Sequence, residues 1–81
     1  MEEGLVAPLS YGENAVNVKF NPSQDPTVQL IKELYAQIID LCNEARLVAW
    51  PGEKWRILSV AITEAQTAQM WAVKWATYTE E

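Results

Sequence analysis

The segment Phe20-Asn21-Pro22-Ser23 places an aromatic ring, an amide and a hydroxyl directly before a predicted helix. The first turn of a helix presents unpaired amide groups and a partial positive charge, and both suit a phosphate. Asn21 and Ser23 could add hydrogen bonds, and Phe20 could stack on a nucleobase. The competing interpretation is a simple turn in which Phe20 serves as a hydrophobic anchor. Taken alone, the segment favours this second interpretation.

Four basic side chains are candidates for binding a phosphate. Lys54 and Arg56 lie in the first turn of the second predicted helix, where a cation opposes the helix dipole. A basic residue placed there suits a site that receives an anion. Lys19 directly precedes Phe20, and Lys32 lies on the first predicted helix. Solvated surface charge is the alternative interpretation for each of the four.

Tyr11 and Thr63 complete the candidate ligand-binding residues. Tyr11 lies in the irregular N-terminal segment, where it could stack on a base or pack on a neighbour. Thr63 shares a face of the second helix with Gln66, so both could face a ligand or bond a partner helix. The whole candidate set is Tyr11, Lys19, Phe20, Asn21, Ser23, Lys32, Arg56 and Thr63.

The residue content excludes several kinds of chemistry. The chain has no histidine and one cysteine, Cys42, so it cannot build a Cys/His zinc site or a Ser–His or Cys–His catalytic pair. Cys42 lies on an apolar helical stripe and is predicted to be a buried thiol. The carboxylates have no evident nucleophile or metal partner. We therefore expect a protein that is not an enzyme, with no catalytic residue, metal or cofactor.

Composition indicates one small globular domain. The chain has 81 residues, of which 49% are hydrophobic, and four of these are Trp. The net charge of −5 disfavours binding to a nucleic-acid polymer, but it does not exclude a pocket for a small anion. No apolar run approaches ~18 residues and no secretion signal is visible, so we expect no membrane contact and a cytoplasmic location.

Two long helices are predicted to form an antiparallel hairpin. The first begins at Asp25-Pro26, with the aspartate as N-cap and the proline at the first helical position, and ends near Arg46 or Leu47. The second runs from Glu53 to about Tyr78. A short connector containing Pro and Gly separates them, which makes them antiparallel neighbours. The first helix has one apolar stripe at Val28, Ile31, Tyr35, Ile38, Cys42 and Ala45, and another at Leu30, Leu34 and Leu41.

Residues 1–24 are predicted to form an N-terminal arm, and residues 25–79 the helical hairpin domain. Within the arm, Val16, Val18 and Phe20 alternate with polar residues, which favours a short strand or an extended conformation. An isolated strand has no partner for its backbone groups, so it would pair across a subunit boundary or pack as an arm. The predicted fold class is therefore mainly α: an antiparallel two-helix hairpin with an N-terminal extended arm or short strand.

The apolar surface exceeds what a single hairpin can bury. The first helix has two apolar faces, and large residues flank a stripe of alanines on the second. A core of this size without a disulfide or a metal rarely supplies enough stability alone. We therefore expect a homo-oligomer, and a structural or protein-binding helical module without a ligand stays open as an alternative. The alanine stripe consists of Ala61, Ala65, Ala68, Ala72 and Ala76.

The chain resembles the small phage proteins that share the helical hairpin domain of the anti-CBASS and Thoeris anti-defence sponges. The resemblance covers about residues 20–78, and its most specific piece is the Met-Trp-Ala segment. None of the matching pieces is a catalytic signature. They are Phe20-Asn21-Pro22-Ser23 with Asp25-Pro26, Ile31-Lys32-Glu33 leading to Ile38-Ile39-Asp40-Leu41, and Ala61-Ile62-Thr63-Glu64-Ala65-Gln66 running into Met70-Trp71-Ala72-Val73-Lys74.

This resemblance implies a non-enzymatic sponge that sequesters cyclic nucleotide immune signals and so blocks bacterial anti-phage defence in the cytoplasm of the infected host. The implied ligands are cyclic di- or trinucleotides or cyclic ADP-ribose variants. The implied assembly is a homo-oligomer, commonly a hexamer, with pockets between subunits. Phosphates would be held by Lys19, Lys32 or Arg56 together with the start of the first helix, and bases would stack on Phe20 or Tyr11.

Overall fold

The computed structural model describes residues 8–80, so the part of the predicted arm before residue 8 lies outside the described residues. The chain forms α1 (Tyr11–Ala15), α2 (Pro26–Leu47) and α3 (Glu53–Thr77). At ~1.5 Å per residue, the two long helices extend about 33 and 38 Å. No helix within residues 8–80 combines the length and apolar character needed to cross a membrane.

The predicted helical hairpin is confirmed, including the start of its first helix. The Asp25 side chain accepts a hydrogen bond from the Thr27 amide at 2.8 Å, and proline occupies the first helical position. The turn between the long helices is closed by Arg46 Nη1, which donates to Ser59 Oγ at 2.9 Å. The end of α2 therefore meets the start of α3, which makes the two helices antiparallel.

The core joins the N-terminal segment to both long helices. Its buried members are Val16 and Val18 from the segment after α1, Ala36 and Ile39 from α2, and Ile62 from α3. The buried face of α2 is thus rotated by about one position from the first predicted stripe. Ala36 has to be small because the N-terminal segment packs directly over it. Ile38 is consequently 50% exposed and Ala45 is exposed, whereas Ile31, Tyr35 and Cys42 are half-buried.

The predicted short strand or extended arm around Val16, Val18 and Phe20 is wrong. Residues 8–80 contain no strand, and α1 precedes a turn at this place. A capping box starts α1: the Glu13 amide donates to Ser10 Oγ at 3.0 Å, and the Ser10 amide donates to Glu13 Oε1 at 2.8 Å. This Ser-x-x-Glu pattern is a helix signal in the sequence that the alternating valines outweighed in our prediction.

Asn17 has a left-handed backbone conformation that ends α1. This conformation explains why two alternating valines are both buried without a strand. Asn17 has φ 55°, its amide donates to the Asn14 carbonyl at 3.1 Å, and the Val18 amide donates to the Glu13 carbonyl at 3.0 Å. These two bonds form a Schellman motif, which turns the chain sharply. Val16 and Val18 can therefore both reach the core without any strand.

The contact of α1 with α2 depends on a glycine. The Gly12 amide donates to Asp40 Oδ1 at 2.6 Å, and Gly12 is buried. A methyl group at this position would overlap the Ala36 carbonyl group. On the other side, Gln66 Nε2 of α3 donates to the Ala15 carbonyl at 3.3 Å. The short helix is thus fixed to both long helices.

We predict that Gly12→Ala lowers the free energy of unfolding by about 1–3 kcal/mol, because the added methyl group pushes α1 away from α2. Urea unfolding followed by circular dichroism, at one fixed protein concentration, measures the change. The matched control is Gly52→Ala, where the nearest atom to the new methyl group is the Ala49 carbonyl oxygen at 3.8 Å. Equal losses of stability in the two variants would contradict this packing.

The molecule exposes a large part of its apolar surface. Its smallest principal extent is 12 Å, so the backbone forms a layer about one helix thick. Such a layer leaves the outer sides of both long helices uncovered. Leu30, Leu34 and Leu41, which form the second predicted stripe of the first helix, are 54%, 50% and 68% exposed. On α3, Ile57, Val60, Met70, Trp71 and Trp75 are also exposed.

Candidate functional site

A pocket of about 320 Å³ lies at the open end of the hairpin. The loop after α1, the start of α2 and the end of α3 form its walls. It brings together four of the predicted ligand-binding residues, although Phe20 and Lys32 are far apart along the chain. The lining residues are Phe20, Asn21, Pro22, Ser23, Val28, Lys32, Val73 and Thr77.

Lys32 is the charged group of this pocket. Its side chain is only 5% exposed, and its ammonium donates to the carbonyl oxygens of Asn17 and Phe20. An ammonium has three N–H donors, so one remains after these two bonds. No carboxylate among residues 8–80 forms a salt bridge with it. Burial lowers the pKa of Lys32, because desolvation disfavours the charged form. A buried cation that has no carboxylate partner among the described residues favours an incoming anion.

Phe20 supplies the aromatic surface beside the cation. The Lys32 Nζ atom lies 5.5 Å from the centroid of the Phe20 ring, and Phe20 is 60% exposed. The ring therefore faces the pocket and still offers surface to a planar ligand group. An exposed ring next to a buried ammonium can take a base and a phosphate of one nucleotide.

Asn21 and Ser23 use their polar groups to build the loop. Ser23 Oγ donates to Asn21 Oδ1 at 2.8 Å and accepts from the Asp25 amide at 3.2 Å. Asn21 Nδ2 donates to the Asp25 carbonyl at 3.1 Å. Gln24, in the same loop, has φ 56°. The segment therefore forms a turn, and its polar atoms shape the pocket wall.

Lys19 lies outside this pocket, in a larger groove of about 660 Å³. Glu13, Glu33 and Asp40 line the same groove, together with two glutamines. Three carboxylates around one exposed lysine repel a phosphate. The groove therefore has more room than the Lys32 pocket, but more negative charge surrounds its lysine.

Arg56 is exposed and already paired. Its Nη2 atom lies 2.6 Å from Glu53 Oε2, and its Nε atom donates to both oxygens of the same carboxylate at 3.1 Å. This hydrogen bonding lowers the pKa of Glu53 and raises the pKa of Arg56. The structure thus gives Arg56 a carboxylate partner within its own helical turn.

The remaining two predicted residues also lie away from the pocket. Thr63 is exposed, and its hydroxyl donates to the Ser59 carbonyl at 3.3 Å. Tyr11 begins α1, and its ring lies under the guanidinium of Arg46, 5.4 Å from ring centroid to Cζ. One copy of the chain therefore brings together Phe20, Asn21, Ser23 and Lys32, and places Tyr11, Lys19, Arg56 and Thr63 elsewhere.

The predicted ligand-binding set lacks four of the lining residues: Pro22 and Val28, which lie beside predicted ones, and Val73 and Thr77 of α3. It also gives no role to Arg46. The end of α3 reaches the pocket because the helices are antiparallel, but no local pattern marks these two positions. Within residues 8–80, no group of three or more His, Cys, Asp and Glu side chains is placed to hold a metal ion. The pocket therefore presents a cation, an aromatic ring and apolar side chains to a ligand.

These features define a helical hairpin with a cationic, partly apolar pocket at its open end. The family model for the Acb2/Tad1 hairpin domain matches residues 13–77, and the chain belongs to this family. The family resemblance inferred from the sequence is thereby confirmed, and it implies a cyclic nucleotide sponge role in anti-defence. The match begins inside α1 and includes the whole pocket. Comparison with curated proteins gave no match, and comparison with solved structures gave none.

We predict that Lys32 makes the stability of the ligand-free protein depend on pH. Because the folded-state pKa lies below the ordinary value of 10.5, the unfolded chain binds more protons between these two values. Stability should therefore rise with pH across this window, relative to Lys32→Gln, which does not titrate. Unfolding free energies of the two proteins from pH 7 upward measure the difference. A difference that stays flat across this pH range would contradict the burial of Lys32.

Proposed function

We propose that the protein is a non-enzymatic sponge that binds cyclic nucleotide immune signals in the cytoplasm of an infected bacterial host and so blocks anti-phage defence. The observation that carries this proposal is the Lys32 ammonium, which is buried at a pocket and has no carboxylate partner among residues 8–80. A phosphate of the ligand bonds the remaining N–H of Lys32. A base stacks on the exposed face of Phe20.

The size of the pocket supports a ligand that extends beyond one chain. A volume of about 320 Å³ lies at the low end of the ~300–1,000 Å³ range of ligand pockets. It accommodates about one nucleotide unit, so a cyclic di- or trinucleotide or a cyclic ADP-ribose variant reaches past its rim. We propose that further copies of the chain complete the site, and that Lys19, Arg56 and Thr63 approach the ligand from those copies.

Self-association is supported by the exposed apolar sides of the hairpin. Leu30, Leu34 and Leu41 project from α2, and Trp71 and Trp75 from α3, all at least half exposed. Burying one such side chain contributes roughly 1.5–3 kcal/mol. We propose that the chain forms a homo-oligomer. The family resemblance implies that this oligomer is a hexamer. The same exposed surface favours a second candidate function, a structural or protein-binding helical module.

Sequestration without cleavage is supported by the hydroxyl groups that line the pocket. The Ser23 hydroxyl donates its proton to an amide oxygen of Asn21 rather than to a base. The lining residues include no carboxylate, thiol or imidazole. A carboxylate or imidazole that could activate a hydroxyl nucleophile is therefore missing from this wall, and the Lys32 ammonium bonds two backbone carbonyls.

Isothermal titration calorimetry against cyclic di- and trinucleotides and cyclic ADP-ribose isomers tests the proposal. We predict saturable binding of at least one ligand, which is recovered intact after heat denaturation. Lys32→Gln keeps a donor for the loop carbonyls but removes the charge, so affinity should fall ~10–100-fold. Lys54→Gln, which removes a lysine at the turn end of the hairpin, should bind the ligand with the affinity of the wild-type protein.

Two results would defeat this proposal. One is a well-assembled oligomer that binds nothing in the panel, and the other is a ligand recovered as hydrolysis products. Loss of affinity in both lysine variants alike would show that general charge, rather than the pocket, governs binding.

We predict that Leu34→Glu lowers the native mass of the protein, because it places a charge within the exposed apolar stripe of α2. Native mass spectrometry and light scattering measure the mass. Gln37→Glu adds the same charge at an exposed polar position and should leave the mass unchanged. A wild-type protein that is monomeric at micromolar concentration would contradict self-association. Such a monomer, captured with a stoichiometric protein partner, would favour the second candidate function.

A further inference from the structure

The backbone carbonyl oxygen of Asn17 accepts two hydrogen bonds that both come from pocket residues. The Phe20 amide donates to it at 2.9 Å, and the Lys32 ammonium donates to it at 3.0 Å. A carbonyl oxygen has two lone pairs, so these bonds occupy both of them. Phe20 carries the aromatic ring of the pocket, and Lys32 carries its charge. One oxygen atom therefore holds both the cation and the backbone of the residue that bears the ring.

The bond between Phe20 and Asn17 closes a four-residue turn, and Lys32 bridges the two ends of this turn. The turn comprises residues 17–20, with a hydrogen bond from the amide of the last residue to the carbonyl of the first. Lys32 also donates to the Phe20 carbonyl, so its ammonium bonds the first and the last carbonyl of the turn. Val18, the second residue, is 7% exposed and belongs to the core. The turn is thus anchored by the burial of Val18 and by the two bonds from Lys32.

Asn17 directs its carbonyl oxygen through an uncommon backbone conformation. Its φ is 55°, which lies in the left-handed region. Asparagine and glycine adopt this region readily, whereas alanine is disfavoured there and a β-branched residue such as valine is disfavoured more strongly. The Asn17 side chain is exposed, and the hydrogen bonds that this residue forms within residues 8–80 all use its backbone. A substitution at this position therefore changes the backbone preference without removing a side-chain hydrogen bond.

The end of α1 explains part of this conformation. The Schellman motif needs a left-handed residue, and its two bonds come from the amides of Asn17 and Val18. Neither of these bonds uses the Asn17 carbonyl. The helix end therefore accounts for the left-handed backbone, but it does not require Lys32 and Phe20 to meet at the oxygen of the same residue.

We propose that Asn17 is a positioning residue for the Lys32 pocket: its left-handed conformation directs the carbonyl oxygen that holds the Lys32 ammonium beside the Phe20 ring. Asn17 does not line the pocket, so it acts through these two residues. With another backbone conformation at this position, the ammonium and the Phe20 amide lose their common acceptor. The fraction of molecules with an assembled pocket then falls, and the apparent affinity falls with it. This inference rests on the function proposed for the pocket, but the arrangement that it describes exists without a ligand.

Proton NMR of the ligand-free protein tests this arrangement. The Lys32 Nζ atom lies over the Phe20 ring, 5.5 Å from its centroid, so the ring current shifts the signals of the neighbouring ε-methylene protons. Phe20→Leu removes the ring and gives the unshifted reference. Asn17→Val should move the Lys32 signals most of the way to this reference, because valine disfavours the left-handed region. Asn17→Gly should keep the wild-type shift, because glycine adopts a positive φ without steric cost.

Two further variants separate positioning from a general loss of stability. Ile39→Val removes one methyl group from a fully buried residue of α2, so it lowers the free energy of unfolding and leaves residues 17–20 unchanged. Its Lys32 signals should keep the wild-type shift. Asn17→Ala disfavours the left-handed region less strongly than Asn17→Val and should lose part of the shift. If circular dichroism shows that Asn17→Val does not fold, Asn17→Ala decides the question.

Calorimetry with cyclic di-AMP adds a measurement of binding. Asn17→Val should bind this nucleotide ~10-fold more weakly than the wild-type protein, because the left-handed region is disfavoured for valine. Asn17→Gly and Ile39→Val should bind it with the wild-type affinity. A wild-type protein that does not bind cyclic di-AMP, but whose Lys32 signals respond to the Asn17 substitutions as expected, would count against the proposed function and support the positioning role.

Three results would overturn the positioning role. The first is a folded Asn17→Val, or Asn17→Ala in its place, that keeps the full Lys32 shift, whatever its affinity for cyclic di-AMP. The second is an Asn17→Gly protein that loses the shift, because the asparagine side chain rather than the backbone conformation is then responsible. The third is loss of the shift in Ile39→Val, which would show that the pocket follows the overall stability of the protein.

Discussion

The Lys32 ammonium joins the N-terminal segment to the hairpin, and the arrangement of the candidate site depends on it. Its bonds to the carbonyls of Asn17 and Phe20 fix the loop on the first turns of α2. The same bonds hold the Phe20 ring over the cation. Burying a charge in this way costs free energy, and no carboxylate among residues 8–80 forms a salt bridge with Lys32 to offset that cost. Under the proposed function, an anionic ligand supplies such a partner.

Each end of the hairpin places a cation beside aromatic rings, but the burial and the hydrogen bonding of the cation differ between the two ends. At the open end, the cation is buried and the ring beside it is exposed. At the turn end, Arg46 lies against two rings and bonds three elements. Between these ends, α1 rests on α2 through Gly12 and Asp40. The short first helix therefore contacts Arg46 through Tyr11, and the loop that follows it bonds Lys32.

Particular residues show how far the sequence could predict the site. The sequence predicts Phe20, Asn21, Ser23 and Lys32 as ligand-binding residues, and they meet in one pocket. It does not predict Val73 and Thr77, because they reach the pocket only through the antiparallel return of α3. Arg56 is predicted from its helix-terminal position, but Glu53 pairs with it on the same turn. Arg46 is not predicted, because its neighbours come from α1, α2 and α3.

The sequence by itself determined the two long helices, the N-cap of the first and their antiparallel order, since these follow from local spacing, Asp25, Pro26 and a short connector. It also determined that apolar residues cover more than one side of each helix. Tertiary structure decided the conformation of residues 11–20, where two valines that alternate like a strand are buried by a left-handed turn at Asn17. Tertiary structure also decided that Lys32 bonds two backbone carbonyls, whereas Arg56 pairs with the carboxylate of Glu53. Local spacing acts over one or two helical turns, whereas burial and charge pairing depend on which distant segments meet.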